Sequence, residues 1–207
     1  MLYTGDMERM GDPAQTPHER FTYRQYLTWP DSESWELIEG QAWSMSPAPR
    51  RLHQQIQWRI SGLLHTFLEG HPCQAYNAPF DVLLPAGDEE DGEVDTVVQP
   101  DVVVYCDRSK LTDAGARGAP DLAVEILSPS TSKKDLHEKF DLYQKHGVRE
   151  YWVIDPGNVA LQVWRLTAIG KYDEGELRQH GRDFSPIASH VLEGFSIDPE
   201  KLFADMD

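Results

Sequence analysis

The chain has 207 residues, of which 40% are hydrophobic and 26% charged, the make-up of an ordinary globular protein long enough to bury one real core. It holds no apolar run near the length of a membrane span and no basic-then-apolar leader, so no membrane association and a cytoplasmic location are expected. A net charge of −16 argues against indiscriminate binding to nucleic acid, whose phosphates it would repel.

Residues 1–19 mix Gly, Pro and scattered charge without a period and read as a loose arm, followed by a single domain over residues 20–207. Phe21 to Trp29 predicts a short helix capped by Thr22 and broken at Pro30-Asp31-Ser32. Trp35 to Met45 predicts a hairpin turning at Glu39-Gly40 or Gly40-Gln41 and ended by Pro47 and Pro49. Leu52 to Glu69 is an amphipathic helix, with Leu52, Ile56, Ile60, Leu63, Leu64 and Phe67 on one arc. Cys73–Tyr76 and Pro79–Leu84 follow as strands, and the acidic run Gly87–Asp95 reads as a solvated hairpin tip. Val97–Cys106, apolar on both faces, predicts one central strand. Arg108–Pro120 reads as a loop and Asp121–Leu127 as a second buried strand. Ser132–His146 predicts a helix with Gly147 as its C-cap. Glu150–Ile154 is a third buried strand, turned at Asp155-Pro156-Gly157-Asn158 into the antiparallel Val159–Leu166. The tail offers a short strand near Leu177 and a polar finish. Cys73 and Cys106, far from any CxxC spacing, are expected as separate reduced thiols. From the long helix onward the order is αβββαβ with a right-handed crossover. The expected fold is mixed α/β, a mixed central sheet flanked by helices with an extra N-terminal hairpin and C-terminal strands.

The chemistry concentrates between Pro100 and Lys139. Asp101 and Glu125 each stand among apolar neighbours in a strand, where a lone acid is costly to bury. Two such acids on adjacent strands, joined by the backbone carbonyl of Ile126, suit a Mg²⁺ or Mn²⁺ ion, which prefers oxygen ligands. Phosphodiester hydrolysis needs such a cation, a positioned water and a stabilised leaving oxygen. Lys139 lies seven residues into the following helix, about 10 Å along it. Glu125 lies about 10 Å back along its strand, so the two are level. Lys133 and Lys134 stand in reserve for the same role, and with Arg50, Arg51 and Lys139 they would form a local basic patch. Glu39 from the hairpin turn and His53 from the first turn of the long helix are expected to line the cleft, with Asp81 as a further carboxylate. No phosphate loop, dinucleotide fingerprint, Ser-His-Asp set or zinc spacing occurs.

Pro100-Asp101 followed by Glu125-Ile126-Leu127 resembles the signature of the PD-(D/E)XK nuclease superfamily, with Leu127 standing where the signature lysine belongs. The segments WELIEGQAWSMSPAP, QPDVVVY and GAPDLAVEILSPSTSKKDLHEKFDLYQKHGVREYWVIDP more closely resemble the Uma-type family of bacterial endonucleases, over roughly residues 20–185. The resemblance implies a restriction-endonuclease-like fold and Mg²⁺ or Mn²⁺ dependence. It also implies that Lys139 supplies the missing lysine, that DNA is the substrate, and that two copies pair to cut two strands. Two other readings stand beside it: a catalytically silent binding protein on the same fold, favoured by the −16 charge and Leu127, and a hydrolase of a small phosphoester.

Overall fold

The computed structural model describes residues 20–30, 33–45, 50–128 and 135–206. The expected arm, Lys133, Lys134 and the expected helix start at Ser132 lie outside the described residues.

Helix α1 (Tyr23–Tyr26) begins after Thr22, whose N–H donates to the Gln25 side chain at 2.9 Å. Strands β1 (Trp35–Ile38) and β2 (Gln41–Ser44) turn through Glu39 and Gly40, both at positive φ (50° and 81°). Two left-handed residues give the turn a twist that matches the flanking strands, which selects Glu39-Gly40 over the alternative placement. Helix α2 (Arg51–Leu68) buries Ile56, Ile60 and Leu64 and leaves Leu63 exposed, so its buried stripe is narrower than the apolar arc in the sequence.

Strands β3 (Gln74–Asn77), β4 (Asp81–Leu83), β5 (Val97–Val98) and β6 (Val102–Tyr105) follow. The acidic run between β4 and β5 is the expected, largely exposed hairpin tip, but its carboxylates are tied down. Arg20, Arg24 and Arg117 pin Asp95, Glu93 and Asp91 at 2.6, 2.9 and 2.7 Å, and Val94 is fully buried. The valine run expected as one strand is two, in different sheets, because Pro100 has no N–H to donate to a ladder and Asp101 turns aside from it. The expected loop after Cys106 contains a small hairpin, β7 (Leu111–Thr112) and β8 (Gly115–Arg117), and β8 runs parallel to β4. Strand β9 (Leu122–Ile126) leads to a helix wound as π over Asp135–Lys139, continued by α3 (Phe140–His146) and closed by Gly147 at φ 84°. Strands β10 (Glu150–Asp155), β11 (Ala160–Arg165) and β12 (Glu176–Gln179) form a meander. A hairpin of β13 (Ile187–Ala188) and β14 (Ser196–Ile197) precedes α4 (Pro199–Leu202).

Two six-stranded sheets result among the described residues, ordered β2-β1-β5-β4-β8-β7 and β12-β11-β10-β9-β6-β3. In the second, β9 and β10 are parallel and joined through the helix, while β6 and β9 are antiparallel with Val102 opposite Val124. The two-residue alternation of a strand sorts its side chains between two cores. Val102, Val104, Val124 and Ile126 pack with α2 on one side. Val103, Tyr105, Ala123 and Val153 pack with α3 on the other. The tail is not a polar finish: Ile187, Leu192, Phe195, Ile197, Leu202 and Phe203 complete the α2-side core.

Cys73 and Cys106, expected as separate reduced thiols, form a disulfide. Cys73 precedes β3 and Cys106 follows β6, and the antiparallel register Gln74↔Tyr105 sets them opposite one another, 3.9 Å apart at Cα. No helix among the described residues is long and apolar enough to cross a membrane.

Candidate active site

Glu125 projects from β9 into the α3-side core with Ala123 behind it, and β10 places Val153 alongside. Lys139 reaches it from the π-wound turn. Its Nζ lies 2.6 Å from Glu125 Oε1 and 2.9 Å from Glu36 Oε1 on β1. Tyr143, one turn further on the same helix face, donates its hydroxyl to Glu125 Oε1 at 2.7 Å. The Gln99 N–H donates to Glu36 Oε1 at 2.9 Å. The three charged side chains are only 2–5% exposed. Burying ions is costly unless each is paired and hydrogen-bonded, and this cluster meets that condition by placing one ammonium between two carboxylates. Burial, then the charges of Glu125 and Glu36, hold the Tyr143 phenol well above its ordinary pKa, so it stays a donor.

Asp101 lies between Pro100 and the start of β6. Its Oδ2 accepts the Ile126 N–H at 2.7 Å, and His53 Nε2 on α2 lies 3.1 Å from its Oδ1. Its backbone carbonyl accepts from Gln57 Nε2 at 3.0 Å and from the Ala78 N–H at 3.1 Å. Asp101 is thus knitted between α2 and the end of β9, one residue along from Glu125. Its side chain is 17% exposed, against 5% for Glu125. The other imidazole nitrogen of His53, Nδ1, is buried without a hydrogen-bond partner among the described residues.

Of the side chains singled out in the sequence, the structure therefore gathers two groups on neighbouring strands: Asp101 with His53, and Glu125 with Lys139. Ile126 links them by giving its N–H to Asp101. Glu39 is not gathered. It sits on the exposed turn, bonded to Lys145, whose ammonium holds its carboxyl below the usual glutamate range. Lys139 is buried and contributes nothing to a surface basic patch; Arg50 and Arg51 are exposed at the start of α2. Asp81 joins a separate cluster, accepting from Gln99 Nε2 at 2.7 Å and from the hydroxyls of Tyr26 and Tyr23 at 3.1 and 3.4 Å.

Sequence reasoning missed Glu36, Tyr143 and Gln99. Glu36 carried a readable signal, an acid between Trp35 and Leu37 in a strand, the same pattern that marked Glu125. The donor set of Asp101, Glu125 and the Ile126 carbonyl fits a hard divalent cation in kind. Among the described residues no three His, Cys, Asp or Glu side chains form a ready cage.

Comparison with known proteins agrees with this architecture. The family described as "Uma2: Putative restriction endonuclease" matches residues 23–200. The uncharacterized protein slr1290 of Synechocystis sp. is 26% identical over 163 residues, covering 77% of this chain and 79% of that relative. The crystal structure of "a putative nuclease belonging to DUF820 from Anabaena variabilis" superimposes with a TM-score of 0.69 at 22% identity, covering 90% of this chain and 99% of that one. At that identity the likeness is one of fold.

Proposed function

The chain belongs to the Uma2 family, and from that premise we propose that it is a metal-dependent endonuclease hydrolysing phosphodiester bonds in DNA. The observation that carries the reading is the approach of the Lys139 amine to within 2.6 Å of Glu125, on a strand paired to the one that follows Asp101. Asp101, Glu125 and the Ile126 carbonyl would hold Mg²⁺ or Mn²⁺. Such an ion, when bound, lowers the pKa of an attached water and offsets charge on the phosphate. The protein's own part is positional. Lys139 holds its amine 2.6 Å from Glu125, the carboxylate that would face the ion and the phosphoryl group it binds. Glu36 and Tyr143 fix the amine and the carboxylate relative to one another. His53 fixes the orientation of Asp101. Arg50 and Arg51, at the start of the helix that carries His53, supply local positive charge against the net −16 that a polyanion would otherwise meet. A second copy of the chain would allow both strands of a duplex to be cut.

The test is incubation with supercoiled plasmid and Mn²⁺. Wild-type protein is expected to convert it to nicked circles, EDTA to stop the conversion, and Asp101→Asn to lack it. Intact plasmid under every metal condition would overturn the proposal. It would favour a second reading, to which the near-complete burial of Glu36, Lys139 and Glu125 lends support: that the ion cluster is a structural staple in a catalytically silent binding protein.

A further inference from the structure

On the far side of Gln99 from the buried ion cluster lies a pocket of about 320 Å³. That is the lower end of the range for small-molecule sites. It is lined by the rings of Tyr26, Trp29 and Trp35 together with Asp81, Gln99 and Glu33, and Glu33 accepts the Trp35 indole N–H at 3.1 Å. The rings are fixed against each other, Tyr26 with Trp29 at 5.7 Å and Trp29 with Trp35 at 5.6 Å between centroids.

The charge balance of this pocket is one-sided. Asp81 accepts hydrogen bonds only from neutral donors, the Tyr23 and Tyr26 hydroxyls and the Gln99 amide, and no Lys, Arg or His pairs with it among the described residues. The partly buried Asp81 carboxylate thus has no cationic partner beside it among the described residues. Its effect on its neighbours is visible: burial, then the charge of Asp81, pushes the Tyr23 hydroxyl up to about 12. A carboxylate offers about four acceptor positions, and three are taken here, leaving one for an incoming N–H. Aromatic faces attract cations through their negative quadrupole. A nucleobase would stack on the same rings, but its phosphate would face Asp81 and Glu33 with no basic residue among the described lining side chains.

We infer that this pocket binds an organic cation bearing N–H donors, a guanidinium or primary ammonium, whose charge Asp81 neutralises and whose faces Trp29 and Trp35 cover. The inference stands apart from the hydrolytic reading, and its readout is binding alone. The ligand chemistry has two sources, a free amine or the side chain of a protein partner. Agmatine and the peptide acetyl-Gly-Arg-Gly-amide present the same guanidinium from each.

The experiment titrates both probes, and cytidine, into the full chain while following tryptophan fluorescence and heat. Saturable binding of agmatine or the peptide is expected, the tighter of the two naming the source. Asp81→Asn, which keeps the shape and removes the charge, is expected to weaken binding by at least about tenfold. Trp29→Leu is expected to weaken it less, with an unchanged melting curve reporting that each variant is folded. The inference is overturned if neither guanidinium probe saturates, if Asp81→Asn binds them as wild type does, or if cytidine binds more tightly than both.

Discussion

Glu125 and Asp101 come from neighbouring strands and answer burial in opposite ways. Glu125 is sealed in the α3-side core and matched by an ammonium and a phenol, both on its Oε1. Asp101 sits where a proline has broken the sheet, facing an imidazole and a backbone N–H and more open to solvent. The first arrangement holds charge in place and should govern stability. The second leaves a carboxylate that can exchange partners, and should govern chemistry. Stability and activity are therefore expected to rank the same substitutions differently.

The largest stability effect is expected from Lys139→Ala. It leaves Glu36 and Glu125 facing each other in the core, and should cost about 3–5 kcal/mol in urea unfolding. A loss below about 1 kcal/mol would mean that solvent reaches the cluster. Tyr143→Phe removes one hydrogen bond to a charged acceptor and should cost about 1.5–3 kcal/mol by the same measurement. Asp101→Asn keeps an acceptor for the Ile126 N–H and should cost about 1 kcal/mol or less, yet abolish plasmid nicking. That pairing of small stability loss with lost activity is what separates the two carboxylates. The smallest effect belongs to Glu39. Its carboxyl is depressed by Lys145, so the pair contributes above the ordinary glutamate value of 4.5 and fades as pH falls through the lower folded value. Both side chains are more than half exposed, so Glu39→Gln should shift thermal unfolding at pH 7 by the equivalent of about 0.5 kcal/mol or less and leave nicking unchanged.

Much of this contrast was legible in the sequence. The apolar runs around Val103 and Val124 gave β6 and β9, and counting residues along strand and helix brought Lys139 level with Glu125, which is where the amine lies. The helix start at Ser132 from which that count runs lies outside the described residues, and the turn that carries Lys139 is π-wound. Glu36 shares with Glu125 the pattern of an acid between apolar neighbours in a strand, but its partner Lys139 lies far along the chain and only the fold brings the two together. The break at Pro100 was hidden by strong β propensity on both sides, although a proline inside a run reading as a central strand argues against that assignment. The tail misled for another reason. Its apolar residues are spread over turns and two-residue strands, without a period to mark them, and only the α2-side core collects them. The Cys73–Cys106 bond lay beyond local pattern, since it depends on the pairing of β3 with β6.

The account rests on Asp101 and Glu125 acting as one cation site despite their different surroundings. Calorimetric titration of Mn²⁺ into wild type, Asp101→Asn and Glu125→Gln, each checked for folding, tests this most directly. The account predicts one saturable site in wild type that is lost in both variants. Identical isotherms in all three, or loss in neither carboxylate variant, would contradict it.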